Sequence, residues 1–302
     1  MRSALIVLFN QDFTKNVPKL EALYGGRFTE IRYIAPDHWS RLDRPYLAGG
    51  AKGCLAYQAD CLVSGVRRVL GKRNPFELAE GDAVLRQRIL RVVGHQFQFY
   101  HFVVQAAKSL LKLEVDWFWV IGDDAILNPR LDERGLAARF ALSAETDAVL
   151  CRPVYGFDAW IEHICGSIDS GLQRAARALG RDGPWVREPV QPEPGAERND
   201  RLPVACMDFF GLSRTALQRL LPIWERMFRQ RLYVELGGPL AILATFDRIR
   251  FCDDFDWCRN ANKQEMEAIL DALAESETLI FSHPIKLSMF KPAQVERLRP
   301  YQ

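Results

Sequence analysis

Two adjacent carboxylates, Asp123 and Asp124, follow the apolar run 117–121. The run predicts a buried strand, and open α/β folds bind their ligands at the carboxyl ends of parallel strands. Two carboxylates at one strand end repel each other, and a hard divalent cation such as Mg²⁺ or Mn²⁺ removes that repulsion while it holds a diphosphate. The structural alternative is that the pair caps a turn continued by Asn128.

The elements before this pair alternate between strand and helix. Residues 4–9 form an apolar run, a helical stretch extends to Tyr24, and an alternating run at 28–34 predicts the next strand. Strand, helix, strand is the opening of a parallel α/β sheet. Apolar positions at helical spacing between 99 and 111 lead into the strand before the Asp pair. The predicted fold class is therefore α/β, with a mixed, mostly parallel central sheet flanked by helices.

Further elements follow the pair toward the carboxyl end. Apolar runs predict strands at 148–154, 204–212, 249–252 and 278–281, and helices at 160–179, 213–231, 235–245 and 262–275. Residues 40–93 contain short, arginine-rich helical pieces and are predicted to form a helical insertion. Residues 181–203 have loop composition, rich in proline and charge, and are predicted to form a flap over the site.

Composition restricts the kind of partner. The chain has 302 residues, 48% of them hydrophobic, and 40 Lys and Arg against 38 Asp and Glu, so its formal charge of +2 does not favour a nucleic acid. No apolar run reaches the ~20 residues of a membrane-spanning helix. Seven cysteines without paired C-x-x-C motifs fit reduced thiols in a cytoplasm. The basic residues of the insertion are predicted to form a solvated helical face, and contact with an anionic acceptor or with membrane headgroups is the alternative.

The order of elements resembles that of nucleotide-sugar glycosyltransferases of the GT-A type. Residues 122–125 (GDDA) are similar to their acidic DxD motif, also written Glu-Asp-Asp, which follows a central strand and binds the metal and the nucleotide diphosphate. Residues 207–214 (MDFFGLSR) resemble the small-residue strand ending in Leu-Ser-Arg on the acceptor side of inverting members. Gly122 replaces the first acid of the DxD motif, and Leu236 replaces the second acid of the usual Glu-Asp pair.

The resemblance implies a metal site and a donor site. His283 and Lys286 are similar to the His-x-x-Lys segment of glycogenin-like members, in which the histidine is the third metal ligand and the lysine binds the diphosphate. The implied ligands of Mn²⁺ or Mg²⁺ are Asp123, Asp124 and His283, and Asp123 and Lys286 are implied contacts of the donor. The structural alternative is a histidine before Pro284 that is satisfied by a backbone carbonyl.

The resemblance also implies nucleotide contacts and a base. Asn10 and Asp37 follow the first and second predicted strands, where such folds contact the nucleotide. Asn10 serves equally well as the N-cap of the helix after it. Glu235 matches the acidic residue that opens a helix in inverting members and is the implied catalytic base, with Asp208 as the second candidate.

The implied function is transfer of a sugar from a nucleotide-diphosphate sugar to a glycan or lipid-linked acceptor, as in bacterial-type surface polysaccharide or glycoconjugate synthesis. One catalytic domain spans 1–302, with a nucleotide-sugar-binding half at 1–130 and an acceptor-binding half at 131–302. Inversion is favoured over retention. A sugar-1-phosphate nucleotidyltransferase and a non-catalytic sugar-binding protein are the alternatives. The former should carry a glycine-rich, arginine-containing loop after its first strand, which this sequence lacks.

Overall fold

The structure is a computed structural model, and it describes most of the chain apart from several internal segments and the last residues. The described residues are 1–9, 16–35, 46–48, 100–155, 168–180, 203–230, 232, 234–258, 262–291, 295 and 298. Nearly all of the predicted insertion at 40–93 and of the predicted flap at 181–203 lies outside them. Asn10 and Asp37 lie outside them as well.

The described residues contain both strands and helices, as the sequence predicts. The strands are β1 (Ser3–Leu8), β2 (Glu30–Ala35), β3 (Tyr46–Ala48), β4 (Trp117–Gly122), β5 (Ile126–Leu127), β6 (Ala148–Cys151), β7 (Val154–Tyr155), β8 (Pro203–Val204), β9 (Phe209–Ser213), β10 (Ile249–Cys252), β11 (Phe255–Trp257) and β12 (Phe281–His283). The helices are α1 (Val17–Tyr24), α2 (Tyr100–Leu110), α3 (Glu133–Arg139), α4 (Ile168–Leu179), α5 (Arg214–Arg229), α6 (Val234–Thr245) and α7 (Lys263–Glu275). In this part of the chain no helix has the length and apolar character needed to cross a membrane.

Seven strands form the central sheet, in the order β10-β6-β9-β4-β1-β2-β3. The pairs β1–β2, β1–β4, β2–β3 and β6–β10 are parallel, and β9 is antiparallel to both β4 and β6. The predicted mixed, mostly parallel sheet is therefore confirmed. Six of its strands end at one edge, and β9 begins there.

Helices cover both faces of this sheet. Every residue of β1 and β4 is buried, as expected for strands that are covered on both faces. One core packs the sheet against α2, α4, α5 and α6, and the other packs it against α1, α3 and α7. The predicted helix flanks are confirmed by these two cores.

A second, three-stranded sheet has the order β11-β12-β5. In it β12 runs parallel to β11 and antiparallel to β5. Because β5 begins two residues after the Asp pair, this small sheet brings the β11 and β12 ends to the carboxyl edge of the central sheet. It is the element that positions His283.

Three predicted strand boundaries are wrong. The strand predicted at 204–212 is two strands, since β8 ends at Val204 and β9 begins only at Phe209. The strand predicted at 148–154 is interrupted at Pro153, which has no N–H to donate to a neighbouring strand. The last strand begins at Phe281 rather than at residue 278, so His283 belongs to the strand and does not follow it.

Glu133 ties the starts of two central strands to α3. Its Oε2 accepts hydrogen bonds from the backbone N and the hydroxyl of Ser3, at 2.9 and 3.0 Å, and from the backbone N of Thr29 at 3.1 Å. Burial raises the pKa of this carboxyl, but the hydrogen bonds from Ser3 and Thr29 lower it by more, so it lies below the ordinary 4.5.

We expect Glu133→Gln to lower the free energy of unfolding by about 1–2 kcal/mol at pH 7, because charged acceptors make the stronger hydrogen bonds. A depressed carboxyl pKa contributes its full stability above the pKa of the unfolded chain and loses it as pH falls through the lower folded pKa. Urea denaturation at pH 7 and at about pH 3 should therefore show a smaller difference from wild type at the lower pH. An equal difference at both pH values would contradict this assignment.

Candidate metal site

Three side chains from three separate segments meet at the carboxyl edge of the central sheet. Asp124 follows β4, Asp208 precedes β9 and His283 ends β12. One side-chain oxygen or nitrogen from each lies within 4.8 Å of the other two. Nε2 of His283 is 3.2 Å from Oδ2 of Asp208, and Nδ1 of His283 is 3.4 Å from Oδ1 of Asp124. We call these three residues the acidic–histidine group.

The direction of β9 brings Asp208 to this edge. Phe209 lies opposite Ile121 in the antiparallel pairing of β9 with β4. The backbone N of Gly122 donates to the carbonyl of Asp208 at 3.0 Å, which holds the two chains together just before the Asp pair. Because β9 is antiparallel to β4, the residue just before β9 lies beside the residues just after β4.

Gly122 leaves the space into which the two carboxylates converge. A Cβ atom at this position would lie 2.9 Å from Oδ1 of Asp208 and 3.2 Å from Oδ1 of Asp124. The first of these distances is too short for a real Cβ, and the second is tight. The acid that the DxD motif would carry at residue 122 is absent, and the carboxylate of Asp208 lies beside that place instead.

Backbone hydrogen bonds hold His283 beside the Asp pair. In the small sheet Ser282 pairs with Ile126 of β5. The backbone N of Ile285 donates to the carbonyl of Asp124 at 2.6 Å. The imidazole is therefore positioned by regular strand pairing on one side and by a direct link to Asp124 on the other.

Burial and crowding of like charges shift the pKa values of the group. Burial raises the pKa of Asp208, and the charge of Asp124 raises it further, against the opposing effect of His283. Burial likewise raises the pKa of Asp123 well above its ordinary range, followed by the charge of Asp124. Burial alone would lower the pKa of His283, but the carboxylates of Asp208 and Asp124 raise it to about 9.

Two polar atoms at the site are buried and without a hydrogen-bond partner. They are Oδ2 of Asp123 and Nδ1 of His283, whose 3.4 Å contact with Asp124 lacks hydrogen-bond geometry. Unpaired buried polar atoms and crowded carboxylates are costly unless they gain a partner or a compensating charge. Two carboxylates and one imidazole form a donor set that suits Mn²⁺ or Mg²⁺. The residues present therefore fit a divalent cation.

Of the predicted site residues outside the acidic–histidine group, the structure describes Asp123, Lys286 and Glu235. Asp123 is 3% exposed, its backbone N donates to the carbonyl of Leu8 at 3.0 Å, and it lies outside the acidic–histidine group. Lys286 is exposed, three residues after His283. Asn10 and Asp37 fall on undescribed residues, so their predicted nucleotide contacts stay predictions.

Glu235 lies in the first turn of α6, half-buried. Its charge contributes to raising the pKa of both His283 and Cys206. The backbone carbonyl of Glu235 accepts from the N of Ala205 at 3.0 Å, which fixes the start of α6 against the segment that leads to Asp208.

Two residues of the site have roles that the sequence did not reveal. Asp208 is a predicted base that the structure brings into the acidic–histidine group. Trp257 carried no signal except that it follows the acidic stretch 253–256, and its ring lies 5.1 Å from that of His283.

No protein-family model matches the sequence, and no curated protein matches it. Among solved structures, mouse xyloside xylosyltransferase 1 in its apo form is 13% identical, with a TM-score of 0.35 over 94% of this chain and 98% of that one. An active-site mutant of LgtC and the galactosyltransferase LgtC in complex with donor and acceptor sugar analogues are each 10% identical, with TM-scores of 0.36 and 0.35, over 98% of this chain and 94% of theirs. These neighbours are glycosyltransferases, but at such TM-scores a function must rest on the site itself.

Proposed function

We propose that this protein is a metal-dependent glycosyltransferase that moves a sugar from a nucleotide-diphosphate sugar to a hydroxyl group of a glycan or lipid-linked acceptor. The acidic–histidine group at the carboxyl edge of the parallel strands is the observation that carries the proposal. Hard carboxylate oxygens with one imidazole suit the cations that accompany diphosphates. Such an acceptor fits bacterial-type surface polysaccharide or glycoconjugate synthesis by a cytoplasmic protein, peripheral at the inner face of the membrane.

The order of the strands supports a nucleotide site next to this group. The chain passes from β1 through α1 to β2 on one side and later returns to β4 on the other side of β1. The strand order therefore reverses between β1 and β4, because β2 and β4 lie on opposite sides of β1. Ligands of open α/β sheets bind in the crevice at such a point. Asp123 and Asp124 follow β4 at this crevice. The predicted contacts Asn10 and Asp37 follow β1 and β2.

The cation would be held by Asp124, Asp208 and His283, and it would neutralise the charge that develops on the departing diphosphate. Asp208 takes the place of Asp123 in this proposed ligand set, because Asp123 lies outside the group of three. Lys286, exposed beyond the end of β12, would add a positive charge for the same diphosphate.

Transfer forms a bond between the acceptor oxygen and the anomeric carbon and breaks the bond from that carbon to the diphosphate, which leaves with the electron pair. Glu235 receives the proton of the acceptor hydroxyl. Its half-buried carboxylate and its electrostatic effect on His283 support this role. A single displacement with this base inverts the anomeric centre. Retention of configuration in the product would contradict this part of the proposal.

Thermal unfolding with a panel of nucleoside diphosphates tests the proposal. A ligand that binds only the native state at 100 times its Kd adds about 2.7 kcal/mol to stability. For a chain of this size we expect Tm to rise by several degrees with one diphosphate plus Mn²⁺. The same diphosphate with a chelator should leave Tm unchanged.

The panel also separates the alternatives. A sugar-1-phosphate nucleotidyltransferase would respond to a nucleoside triphosphate rather than to a diphosphate. A non-catalytic sugar-binding protein would respond to no nucleotide. Equal rises in Tm with and without Mn²⁺ would contradict a metal-dependent site.

A further inference from the structure

The helices on the two faces of the central sheet differ in charge. Helices α2, α4, α5 and α6 cover one face and contain seven Lys and Arg residues against three Asp and Glu. Helices α1, α3 and α7 cover the other face and contain four Lys and Arg against six Asp and Glu. We call the first set the basic helix layer. The whole chain is nearly neutral, but one side of the fold has an excess of positive charge.

The positive charges of the basic helix layer lie at its surface. Among the residues of this layer whose exposure the structure describes, the exposed charged residues are all basic: Lys108, Arg177, Arg219 and Arg226. The acids Glu225 and Glu235 are half-buried. In the opposite layer, the exposed charged residues that the structure describes have both signs: Arg134, Arg139, Glu265, Asp271 and Glu275. An anionic partner would therefore be attracted to the basic helix layer.

Carboxylates do not neutralise the four exposed cations of this layer. In the described part of the chain none of the four forms an ion pair with an Asp or Glu. Five arginines elsewhere do, at 2.6–3.5 Å: Arg2, Arg32, Arg139, Arg152 and Arg248. Arg219 and Arg226 instead donate to the carbonyls of Thr245 and Ala178, at 3.2 and 2.6 Å. A carbonyl has no net charge, so the positive charge of both side chains persists.

Packing joins the helices of this layer into one surface. Helix α5 contacts α2, α4 and α6. The exposed residues of α5 follow one stripe along the helix: Thr215, Gln218, Arg219, Pro222 and Arg226. Leu221 and Ile223 are half-buried beside this stripe. The exposed side of α5 thus combines cations with partly exposed apolar side chains.

We propose that the basic helix layer is the surface through which the protein lies on an anionic lipid bilayer. The phosphates of the headgroups supply the negative charge, and the apolar side chains of α5 suit the boundary between headgroups and acyl chains. A nucleic acid would match the cations but not the apolar side chains. Each Lys or Arg near such a membrane raises the affinity by about fivefold, so four of them give an affinity that suits reversible, peripheral binding.

This orientation brings the bilayer close to the candidate base. Glu235 lies in the first turn of α6, which belongs to the same layer and packs against α5. One or two helix diameters, about 10–20 Å, then separate its carboxylate from the headgroups. A sugar linked to a lipid can bridge such a distance while its lipid stays in the membrane. The choice of a lipid-linked acceptor over a soluble glycan rests on the proposed function.

Flotation of the full chain with lipid vesicles tests the surface. We expect binding to phosphatidylcholine vesicles that contain about 30% phosphatidylglycerol, and at least tenfold weaker binding to phosphatidylcholine alone. Raising NaCl from about 0.1 M to about 0.5 M should weaken the binding at least tenfold, because salt screens exposed charges. Equal affinity for the two kinds of vesicle, or no binding to either, would overturn the proposal.

Matched double variants locate the surface. Lys108→Gln with Arg177→Gln removes two exposed cations of the basic helix layer, and we expect it to weaken binding to the anionic vesicles about 25-fold. Arg130→Gln with Arg134→Gln is the control, because it removes two exposed cations before and within α3 of the opposite layer. It should bind within about twofold of wild type. Equal losses in the two double variants would overturn the assignment to this layer.

Competition with duplex DNA separates a bilayer from a nucleic acid. At the same phosphate concentration as the anionic vesicles, we expect DNA to leave most of the protein bound to them. Complete displacement by DNA, with DNA binding that is weaker in the variant of Lys108 and Arg177, would assign the layer to a nucleic acid and overturn the proposal.

Mn²⁺-dependent binding of nucleoside diphosphates is measured on the same variants. We expect it to stay within about twofold of wild type in the variant of Lys108 and Arg177, because neither residue belongs to the acidic–histidine group. A wild-type protein that binds anionic vesicles through this layer but binds no diphosphate would support the surface and contradict the transferase. A protein that binds diphosphate but no vesicles would contradict the surface alone.

Discussion

Asp208→Asn should abolish Mn²⁺-dependent binding of nucleoside diphosphates and lower the affinity for Mn²⁺ itself by about 100-fold or more. The substitution keeps the shape of the side chain but removes one of two charged oxygen donors, and outer-shell changes alone cost 10–100-fold in metal affinity. It also removes the carboxylate 3.2 Å from Nε2 of His283. Isothermal titration calorimetry with Mn²⁺, followed by diphosphate, measures both affinities.

Asp147→Asn is the matched control. Asp147 and Asp208 are both 8% exposed, but Asp147 precedes β6 at the opposite edge of the central sheet, where it pairs with Arg248 at 3.2 Å. Its loss should lower the free energy of unfolding by about 1 kcal/mol and leave Mn²⁺ binding unchanged. Wild-type affinity for Mn²⁺ in Asp208→Asn would remove Asp208 from the ligand set.

Asp123→Asn decides between the two ligand sets. The resemblance implies Asp123 as a ligand, whereas the acidic–histidine group contains Asp208 in its place. If the group is the metal site, Asp123→Asn should retain Mn²⁺ binding within about tenfold. Loss in Asp123→Asn together with retention in Asp208→Asn would favour the set implied by the resemblance.

Local patterns in the sequence were sufficient to predict most elements of the fold. The apolar runs of β1 and β4 are buried on both faces. Their own residues were therefore enough to predict both strands. The side chain of Ser213 caps α5 by accepting from the N of Ala216 at 3.1 Å, as its residue type predicts. In the structure Asn262 and Glu265 form a capping box at the start of α7.

The membership of the site depends on long-range features that local patterns do not contain. Asp208 reaches the Asp pair because β9 runs antiparallel between β4 and β6, and the direction of a strand is not written in its own residues. In a parallel β9 the residue before the strand would lie at the opposite edge. In the sequence, Gly122 shows only that the first acid of the DxD motif is missing. The structure shows that the missing side chain leaves space for the carboxylate of Asp208.

The exposure of an aromatic side chain also cannot be predicted from local sequence patterns. Trp119 and Trp257 are the same residue type, yet one is fully buried and the other is 42% exposed. The difference arises because Trp119 stacks on Phe209 at 5.6 Å inside the layer under α3, whereas Trp257 ends a short strand of the small sheet. Trp117 and Trp119 of β4 both belong to that core.

Glu235→Gln should lower the turnover of sugar transfer by about 10²–10⁴-fold while the affinity for donor and Mn²⁺ changes little. Glutamine keeps the size and the hydrogen-bonding oxygen of the side chain but cannot accept the proton of the acceptor hydroxyl. Single-turnover rates with saturating donor measure the chemical step. Calorimetry on the same variant measures donor binding.

A purely structural role for Glu235 predicts the opposite result, a loss of stability without a loss of rate. In that case the carboxylate in the first turn of α6 only complements the helix dipole, and its loss costs about 0.3–1 kcal/mol of stability with no effect on rate. Glu133→Gln is the matched control, because it changes another first-turn glutamate at the opposite edge of the sheet, beside Ser3. It should reduce stability and leave turnover unchanged. A Glu235→Gln enzyme within about threefold of the wild-type rate would exclude Glu235 as the base, and a retained anomeric configuration in the product would then point to a mechanism that needs no such base.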